Sequence, residues 1–384
     1  MEETVAERLA VVVADHIVSP LGFSTSDNYA AVKAGQTGLL RYSGKWGLPE
    51  PFMAALIDRD EALAVCERAG IHGHYTFFER LAILSVQQAL QQCEVDVTSS
   101  RTLLILSTTK GNVDLLREPQ EGIAEERVLL GEAAKTIAAY FGNPNQPLVV
   151  SNACISGVCA QIEAERLLKA GVYDAVIVCG GDILSPFIVS GFQSLMALTD
   201  TPCRPFDEDR TGINLGDAVA TIIYKGVTEQ REGVWTVAKG AIRNDGYHIS
   251  SPSKVGEGSF RALRQILEGV DSEEIAVVNA HGTATLFNDE MESVAIDRAG
   301  LGSVPVNSLK GYFGHTMGAA GILETIITMR ALDEGLVLAT KGYENLGVSR
   351  PVQVTKQNQT TQKRTFVKMI SGFGGCNAAM LLKH

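Results

Sequence analysis

Short apolar segments alternate with amphipathic segments along most of the chain. The apolar segments are rich in β-branched residues, which is typical of strands buried on both faces of a sheet. The segments between them have apolar residues at the three-to-four-residue spacing of helices. In the first half the predicted strands are 9–13, 103–106, 147–150, 175–179 and 218–224, and the predicted helices are 79–92, 132–140 and 161–169.

The same scheme is repeated after the polar stretch 225–233. The pattern predicts an α/β protein built from βαβ units. A chain of 384 residues exceeds the usual limit of about 250 to 300 residues for a single core. Two packed halves are therefore expected, 1–228 and 229–384. In the second half the predicted strands are 234–241, 275–279, 352–354, 366–370 and 379–382, and the predicted helices are 258–267, 289–299 and 319–334.

Composition narrows the class of protein. A hydrophobic content of 45% with 20% charged residues fits an ordinary globular protein. No apolar run reaches the roughly 18 residues that span a bilayer, and the first residues lack the basic start of a signal peptide, so we expect no membrane partner and a cytoplasmic location. A net charge of −11 argues against nucleic-acid binding. The seven cysteines show neither the density nor the spacing of a disulfide scaffold or a zinc site.

One cysteine stands out by its position. Cys154 follows the apolar run 147–150 and precedes a helical stretch of small residues. A thiolate at a helix start is stabilised by free backbone N–H groups and the helix dipole, so a pKa below that of a free cysteine is expected. Cys154 is therefore a candidate nucleophile. The alternative is a small buried core residue, which is a common role for free cysteine.

Two histidines lie in similar surroundings downstream. His281 belongs to Asn-Ala-His-Gly-Thr-Ala-Thr and follows the predicted strand at 275–279, and His315 belongs to Lys-Gly-Tyr-Phe-Gly-His-Thr and precedes a helical stretch. Each places an imidazole among small residues at the end of an extended segment. A single histidine beside Gly-Thr is equally compatible with a structural role, so only the cysteine and both histidines together indicate catalysis.

Together with the segments 17–22, 204–212, 245–252 and 371–375, these motifs resemble the β-ketoacyl-acyl-carrier-protein synthases of the KAS I/II type, which are condensing enzymes of the thiolase superfamily. The resemblance extends over nearly the whole chain. It implies a duplicated thiolase-like fold with five layers, α-β-α-β-α, in which both halves contribute to one active site. The charged segment 118–131 is expected to be a helical excursion or a cap over the entrance, near a partner subunit.

The resemblance also implies a reaction. Cys154 takes an acyl group from a carrier-protein thioester, and decarboxylation of malonyl-carrier protein leaves an enolate that attacks the acyl-cysteine. The products are a 3-oxoacyl thioester and CO2, in fatty-acid or polyketide and aryl-polyene-type biosynthesis. The substrates are carried on the phosphopantetheine of the acyl carrier protein. No other cofactor and no metal is expected for this chemistry.

Roles for individual residues follow from the same resemblance. His281 and His315 donate hydrogen bonds to the enolate oxygen, and Lys310 orders the histidine pair through polar contacts. The backbone N–H groups of Cys154 and Phe373 form the oxyanion hole, and glycines beside Phe373 allow close backbone approach. Phe373 is also a candidate gate to the thiol.

Substrate contacts and departures from the family concern four further residues. Thr283 and Thr285 match threonines that hydrogen-bond the phosphopantetheine arm. Lys110 falls where fatty-acid elongating members have an apolar residue that sets the depth of the acyl pocket, and an ammonium in an apolar tunnel is costly. Either the local alignment is off, or the pocket is short, polar or shaped for a polyene or aryl-polyene chain. Cys376 replaces a hydroxyl residue, which is compatible with thiolase chemistry, where a second cysteine acts as base.

The sequence indicates less about partner proteins and bound ions than about the reaction. Carrier proteins are acidic, so a local basic patch is expected despite the negative net charge, with Arg204 and Arg210 as candidates. A homodimer is implied, and a heterodimer with a related subunit is left open. Asn279 and Glu324 match positions that hold a structural cation in some members, although a salt-bridged role for Glu324 is at least as compatible with the sequence.

Two alternative functions remain at this point. A thiolase condenses acyl-CoA units without losing CO2. The other alternative is a non-catalytic or weakly catalytic chain-length partner in a ketosynthase heterodimer. Such partners usually lack the reactive cysteine, which this chain keeps at position 154.

Overall fold

The computed structural model describes residues 8–229 and 232–384. The helices are α1 Thr25–Lys33, α2 Arg59–Arg68, α3 Phe77–Leu90, α4 Leu130–Tyr140, α5 Ser156–Lys169, α6 Pro186–Ser194, α7 Glu257–Ile266, α8 Leu286–Arg298, α9 Lys310–Phe313 and α10 Ala320–Asp333. The strands are β1 Leu9–Val18, β2 Leu40–Tyr42, β3 Phe52–Ala55, β4 Thr102–Ser107, β5 Leu148–Val150, β6 Ala175–Asp182, β7 Leu215–Gly216, β8 Ala218–Val227, β9 Thr236–Asn244, β10 Ile275–Asn279, β11 Pro305–Asn307, β12 Leu336–Val337, β13 Gln353–Val354, β14 Gln359–Thr360, β15 Thr365–Gly372 and β16 Cys376–Lys383.

The large sheet consists of two halves with the same strand pattern. In the described chain its order is β13-β11-β10-β15-β16-β9-β1-β8-β6-β4-β5. In the first half β5, β4 and β6 are parallel, and β8 and β1 continue antiparallel. In the second half β11, β10 and β15 are parallel, and β16 and β9 continue antiparallel. The two halves are joined through a short ladder between β1 and β9. This repetition confirms the expected duplicated fold.

Helices and sheet halves form five layers. Helix α3 packs on β1, β6 and β8 on one outer face, and α4 packs beside it. Helices α5 and α10 contact each other and both halves of the sheet, so they form the middle layer. Helix α7 packs on β9 and β16 on the opposite outer face, with α8 beside it. The order is therefore α-β-α-β-α, as the resemblance to the condensing enzymes implies.

The middle layer is tightly packed because its two helices contact through small residues. A Cβ on Gly157 of α5 would lie 2.9 Å from the carbonyl oxygen of Gly318, and one on Gly321 of α10 would lie 2.7 Å from Val158. Helix α10 is buried almost all round, which is why apolar residues occur on all of its faces. The hydroxyls of Thr325 and Thr328 donate to carbonyls one turn back in the same helix, so they add no unpaired polar group to the core.

Most predicted elements are found, with ends shifted by a few residues. The charged segment 118–131 is not a continuous helix, since the structure places a 3₁₀ turn at Glu125–Val128 before α4 begins. Its role as a cap over the entrance, near a partner subunit, stays a prediction. Arg127 on that turn forms an ion pair with the fully buried Glu79 of α3. The boundary between 228 and 229 stays a prediction, although β8 ends at Val227 and β9 begins at Thr236. In the part of the chain that the structure describes, every helix is too short or too polar to cross a membrane.

Candidate active site

Cys154 lies in a sharp turn between β5 and α5. The residue before it, Ala153, has a φ of +45°, a left-handed conformation that is strained for a residue with a side chain. The hydroxyl of Ser156 fixes this turn, because it accepts from the backbone N–H of Asn152 at 2.7 Å and donates to the carbonyl of Ala153 at 2.6 Å. The turn directs the Cys154 thiol inward, where it is buried.

His281 is held by a loop that follows β10. The carboxylate of Glu292 on α8 accepts from the backbone N–H groups of His281 and Gly282, both at 2.7 Å. Asp289, one turn earlier on the same helix, accepts from the backbone of Thr283 at 2.9 Å and from that of Phe206 at 2.7 Å. Two buried carboxylates on one helix therefore fix the backbone of this loop and with it the imidazole.

His315 is held from the opposite side by β7 and the residue before it. Its backbone N–H donates to the carbonyl of Asn214 at 2.7 Å, and its carbonyl accepts from Gly216 at 3.1 Å. Gly314, with a φ of +68°, lets the chain turn sharply out of α9 directly before the histidine. A Cβ on Gly216 would overlap the carbonyl oxygen of Phe313, so only glycine fits where β7 meets this loop.

The three predicted residues converge. The Cys154 sulfur and one ring nitrogen from each of His281 and His315 all lie within 4.8 Å of one another. The two imidazole rings are 5.0 Å apart between centroids and nearly perpendicular, at 81°. Both ring nitrogens of His315 and Nδ1 of His281 have no hydrogen-bond partner within the described protein. The imidazoles are therefore positioned to bind groups that enter the cavity.

A buried ion cluster lies behind the histidines. The carboxylate of Glu324 on α10 binds two ammonium groups, that of Lys310 through Oε1 and that of Lys368 through Oε2. The Lys368 Nζ lies 2.6 Å from Oε2, and both lysine side chains are 0% exposed. Burial alone would raise the pKa of Glu324, but the two ammonium groups outweigh it and lower that pKa. The Glu324 carboxylate, which the family resemblance associates with a structural cation, is thus flanked by two lysine side chains.

This cluster and the burial keep both imidazoles neutral. Burial lowers the pKa of His281 and of His315 well below the usual range, and the positive charges of Lys310 and Lys368 lower both further. A neutral imidazole keeps one N–H donor at any pH near neutrality. Each histidine can therefore donate one hydrogen bond to an oxygen in the cavity.

The expected low pKa of the nucleophile is wrong for this structure. Burial, and to a smaller extent the neighbouring Cys376, raise the pKa of the Cys154 thiol to about 12. The charges of Lys310 and Lys110 and the backbone N–H of Phe373 lower it, but by less than burial raises it. The resting sulfur is consequently a thiol, and a nearby base must accept its proton when it reacts.

A cavity of about 370 Å³ leads from the surface to this constellation. It is lined by Cys154, by both histidines and, towards its mouth, by the predicted pantetheine residues Thr283 and Thr285, whose hydroxyls are 2.8 Å apart. The ring of Phe373 also lines it, 37% of that residue is exposed, and the ring packs on that of Phe192 at 6.0 Å. The predicted gate therefore lies at the cavity, between solvent and the thiol.

Two residues that the sequence singled out, Lys110 and Cys376, do not line this cavity. The Lys110 ammonium lies against its own loop, 3.5 Å from the carbonyl of Thr109, and the residue is absent from the cavity lining. The Cys376 thiol donates to the carbonyl of Phe373 at 3.1 Å, and burial raises its pKa to about 11. Cys376 is therefore poorly suited to act as the second, basic cysteine of a thiolase.

The two arginines expected to form a basic patch are already engaged. Arg210 is buried, and its guanidinium donates to the carbonyls of Asp207 and Gly347. Arg204 forms an ion pair with Asp207 at 2.8 Å. Arg210 is therefore not available for docking, whereas the Arg204 side chain remains 34% exposed beside Asp207, so its part in a basic patch stays a prediction.

Sequence reasoning missed three residues that support the site. Asp289 and Glu292 were assigned to a helix without a role, and their spacing of three residues on one helix face was the available signal. Lys368 lies inside the predicted strand 366–370, which is otherwise apolar. A charged residue inside such a strand calls for a buried partner, and the sequence offered Glu324 as one.

Comparison with known proteins agrees with this architecture. The family described as beta-ketoacyl synthase, N-terminal domain, matches residues 73–229, and beta-ketoacyl synthase, C-terminal domain, matches residues 235–344. The chain belongs to the β-ketoacyl synthase family.

Relatives and solved structures extend the likeness to nearly the whole chain. A putative mitochondrial 3-oxoacyl-[acyl-carrier-protein] synthase of Schizosaccharomyces pombe is 26% identical, with 95% of this chain and 96% of that protein covered. The 3-oxoacyl-[acyl-carrier-protein] synthase 2 of Vibrio cholerae is also 26% identical, with 99% of this chain and 100% of that protein covered. A chain of the complex between a ketosynthase and its chain length factor from Xenorhabdus doucetiae superposes with a TM-score of 0.83 at 24% identity, covering 100% of both chains.

Proposed function

We propose that this protein is a decarboxylative condensing enzyme, which joins an acyl group on Cys154 to malonyl-acyl-carrier protein and releases a 3-oxoacyl-carrier protein and CO2. The observation that carries the proposal is the convergence of the Cys154 sulfur with ring nitrogens of His281 and His315 inside 4.8 Å at the base of one cavity. The names of the curated relatives, 3-oxoacyl-[acyl-carrier-protein] synthases, support it.

The first step loads the nucleophile. The Cys154 sulfur attacks the carbonyl carbon of an acyl thioester, and the bond between that carbon and the pantetheine sulfur breaks. Because the resting group is a thiol, its proton passes to an adjacent imidazole as sulfur attacks and then to the departing pantetheine sulfur. An acyl-cysteine and a free carrier thiol result.

The second step makes and uses a carbanion. The malonyl thioester enters the same cavity with its thioester oxygen facing the two neutral imidazoles. The bond to the carboxylate breaks, CO2 leaves, and the electron pair becomes an enolate whose oxygen accepts from the N–H groups of His281 and His315. The enolate carbon attacks the acyl-cysteine carbonyl, the carbon–sulfur bond breaks, and the Cys154 thiolate takes a proton from the medium.

Backbone donors serve the oxyanion of the acyl group. The N–H groups of Cys154 and Phe373 are the proposed oxyanion hole, and a Cβ on Gly372 would lie 3.1 Å from the backbone nitrogen of Cys154. The absence of a side chain at 372 therefore keeps the strand close to the nucleophile turn. Thr283 and Thr285 are proposed to bind the phosphopantetheine arm. The reaction needs no cofactor beyond that arm, since the chain supplies both nucleophile and donors.

The proposed partners are an acyl carrier protein and a second subunit. Strand β5 ends the sheet and precedes the nucleophile turn, and Leu148 on it is 37% exposed. We propose a homodimer in which the β5 edges of two subunits pair. The alternative is a heterodimer, which the Xenorhabdus complex of a ketosynthase with its chain length factor supports. We further propose that the enzyme acts in the cytoplasm.

The type of acyl chain is the part of the substrate that is still to be identified. A panel of acyl-carrier proteins bearing saturated, polyene and aryl-polyene chains, followed by intact mass spectrometry, ranks the cargoes by the rate of acyl-enzyme formation. Although Lys110 does not line the cavity, its charge acts on the Cys154 thiol, and an ammonium beside an apolar chain is costly. We therefore expect unsaturated or aryl chains to load faster than long saturated chains. Preference for long saturated chains would contradict that expectation and leave the reaction class intact.

Carboxyl-labelled malonyl-carrier protein tests the reaction class. Incubated with acylated wild-type enzyme, it should release labelled CO2 together with a 3-oxoacyl product, and His281→Ala should release far less. A thiolase would condense without releasing CO2. A non-catalytic chain-length subunit would neither become acylated at Cys154 nor release label.

A further inference from the structure

We propose that Lys368 is a positioning residue whose ammonium fills an oxygen-lined cation site and thereby fixes the backbone that carries His281. The inference rests on the proposed function only for its effect on rate, since the cation site itself is a structural claim. The observations are the ligand set of this ammonium, its complete burial and its place beside the catalytic loop.

Four oxygens surround the Lys368 Nζ. The nearest is Oε2 of Glu324 at 2.6 Å, and the carbonyl oxygens of Met369, Asn279 and Ala280 follow at 3.1, 3.4 and 3.5 Å. The side chain is 0% exposed. One carboxylate and three carbonyls around a buried positive charge resemble the environment that proteins build for K⁺, in which carbonyl oxygens replace the hydration shell.

The ammonium matches such a site in charge and in ligand preference. It has three N–H donors for four oxygens, so it binds them much as a small monovalent cation does, with strong and weak contacts. A free ion in this place would exchange with solvent and depend on salt. A cation attached to β15 by its own side chain does neither. The Lys368 ammonium is therefore a counter-ion that the chain itself supplies. We call the four surrounding oxygens, from Glu324, Met369, Asn279 and Ala280, the cage.

The cage is directly connected to the catalytic loop. Asn279 ends β10, Ala280 follows it, and His281 is the next residue, so two of the three carbonyls belong to the backbone that leads into the imidazole. The carboxylate of Glu324 is shared with Lys310. Without a positive charge at this point, two carbonyls of the loop lose their partner and Glu324 keeps only Lys310.

The charge also acts through space. The positive charge of Lys368 contributes to lowering the pKa of His281 and His315, after burial and Lys310. Burial lowers the pKa of Lys368 itself, while Glu324 opposes that lowering. A cation bound in place of the ammonium would restore the same field and the same carbonyl contacts.

Three variants test the proposal. Lys368→Ser opens the cage, and Lys368→Met fills it with an uncharged chain of similar length. Lys383→Ser removes an exposed lysine from the neighbouring strand β16 as a matched control. Each protein is assayed for malonyl decarboxylation and for its melting temperature in chloride salts of K⁺, NH₄⁺ or tetramethylammonium at equal ionic strength. Tetramethylammonium is too large for the cage.

The expected pattern separates the variants. Wild type and Lys383→Ser behave alike in all three salts. In tetramethylammonium Lys368→Ser loses rate by about 10- to 100-fold, the usual effect of removing an outer-shell partner. K⁺ or NH₄⁺ restores most of that rate and raises the melting temperature saturably. Lys368→Met loses rate and regains none.

Three results would overturn the proposal. The first is a wild-type rate that depends on K⁺, because the cage would then not be filled by lysine. The second is full activity of Lys368→Ser in tetramethylammonium. The third is a loss that neither K⁺ nor NH₄⁺ relieves in rate or in melting temperature. If wild type itself releases no CO2, the proposed function fails, and the melting temperatures of Lys368→Ser alone decide whether the cage binds cations.

Discussion

Replacing Glu324 by glutamine tests the buried ion cluster most sharply. The change keeps the shape of the side chain but removes the negative charge that lies between the ammonium groups of Lys310 and Lys368. Removing one partner of a buried ion pair costs about 3 to 5 kcal/mol. An upper limit per lysine comes from deprotonation, since a shift from the ordinary pKa of 10.5 to pH 7 costs about 4.8 kcal/mol. The two figures agree, so we expect a loss of about 4 kcal/mol.

This loss of unfolding free energy corresponds to a decrease in the melting temperature. For 384 residues the unfolding entropy is about 0.8 kcal/mol per degree, so Glu324→Gln should lower the melting temperature by about 4 to 6 °C near pH 7. The sign of the pH dependence is an independent check. In the variant the folded state binds fewer protons than the unfolded state, because a buried lysine has given up its proton. Its stability relative to wild type should therefore rise between pH 7 and pH 9.

Calorimetry or fluorescence melting across that pH range is the assay, with Glu163→Gln as the control. Glu163 forms only an exposed contact with Arg166 at 3.8 Å, which should contribute at most about 1 kcal/mol. A loss for Glu324→Gln no larger than that of the control, or a loss that stays constant with pH, would refute the reasoning about this cluster.

Other predictions concern the reacting groups and their supports. His315→Ala should lose about 10²- to 10³-fold in labelled CO2 release with an unchanged circular dichroism spectrum, because one enolate donor is missing; an unchanged rate would exclude His315 as a donor. Alkylation of Cys154 by iodoacetamide should rise steadily with pH up to pH 9, because burial raises the pKa of this thiol to about 12, and a plateau near pH 7 would contradict this. Gly216→Ala should reduce activity, because its Cβ would clash with the carbonyl of Phe313 and displace the His315 loop. Gly131→Ala, on an open helix surface, should leave activity unchanged. Equal rates for the two variants would argue against this packing constraint.

The sequence predicts the parts of this protein that local pattern determines. Buried parallel strands read as continuous apolar runs, so β4, β6 and β10 are found close to where they are expected. The nucleophile and the histidines are identified because their motifs occur together and in order. Helices α1 and α2 and the ribbon of β2 and β3 are missed, since their apolar periodicity is weak or their strands are short.

What the sequence could not supply is the balance between opposing effects in three dimensions. The helix start favours a Cys154 thiolate, yet burial raises its pKa, and only the fold reveals how far this thiol is removed from solvent. Arg204 and Arg210 look like surface charges until the chain folds Asp207 and the carbonyl of Gly347 onto them. The partnership of Lys310, Lys368 and Glu324 joins three separate segments, so residue spacing does not reveal it.

Peptide mapping of a trapped intermediate tests the central claim most directly. The protein is acylated from an acyl-carrier protein, and half of the sample is digested while the other half is first chased with malonyl-carrier protein. We predict that the acyl mass lies on the peptide containing Cys154 and disappears in the chase, with one CO2 and one 3-oxoacyl product formed for each acyl group lost. An acyl group on any other residue, or one on Cys154 that survives the chase, would contradict the account.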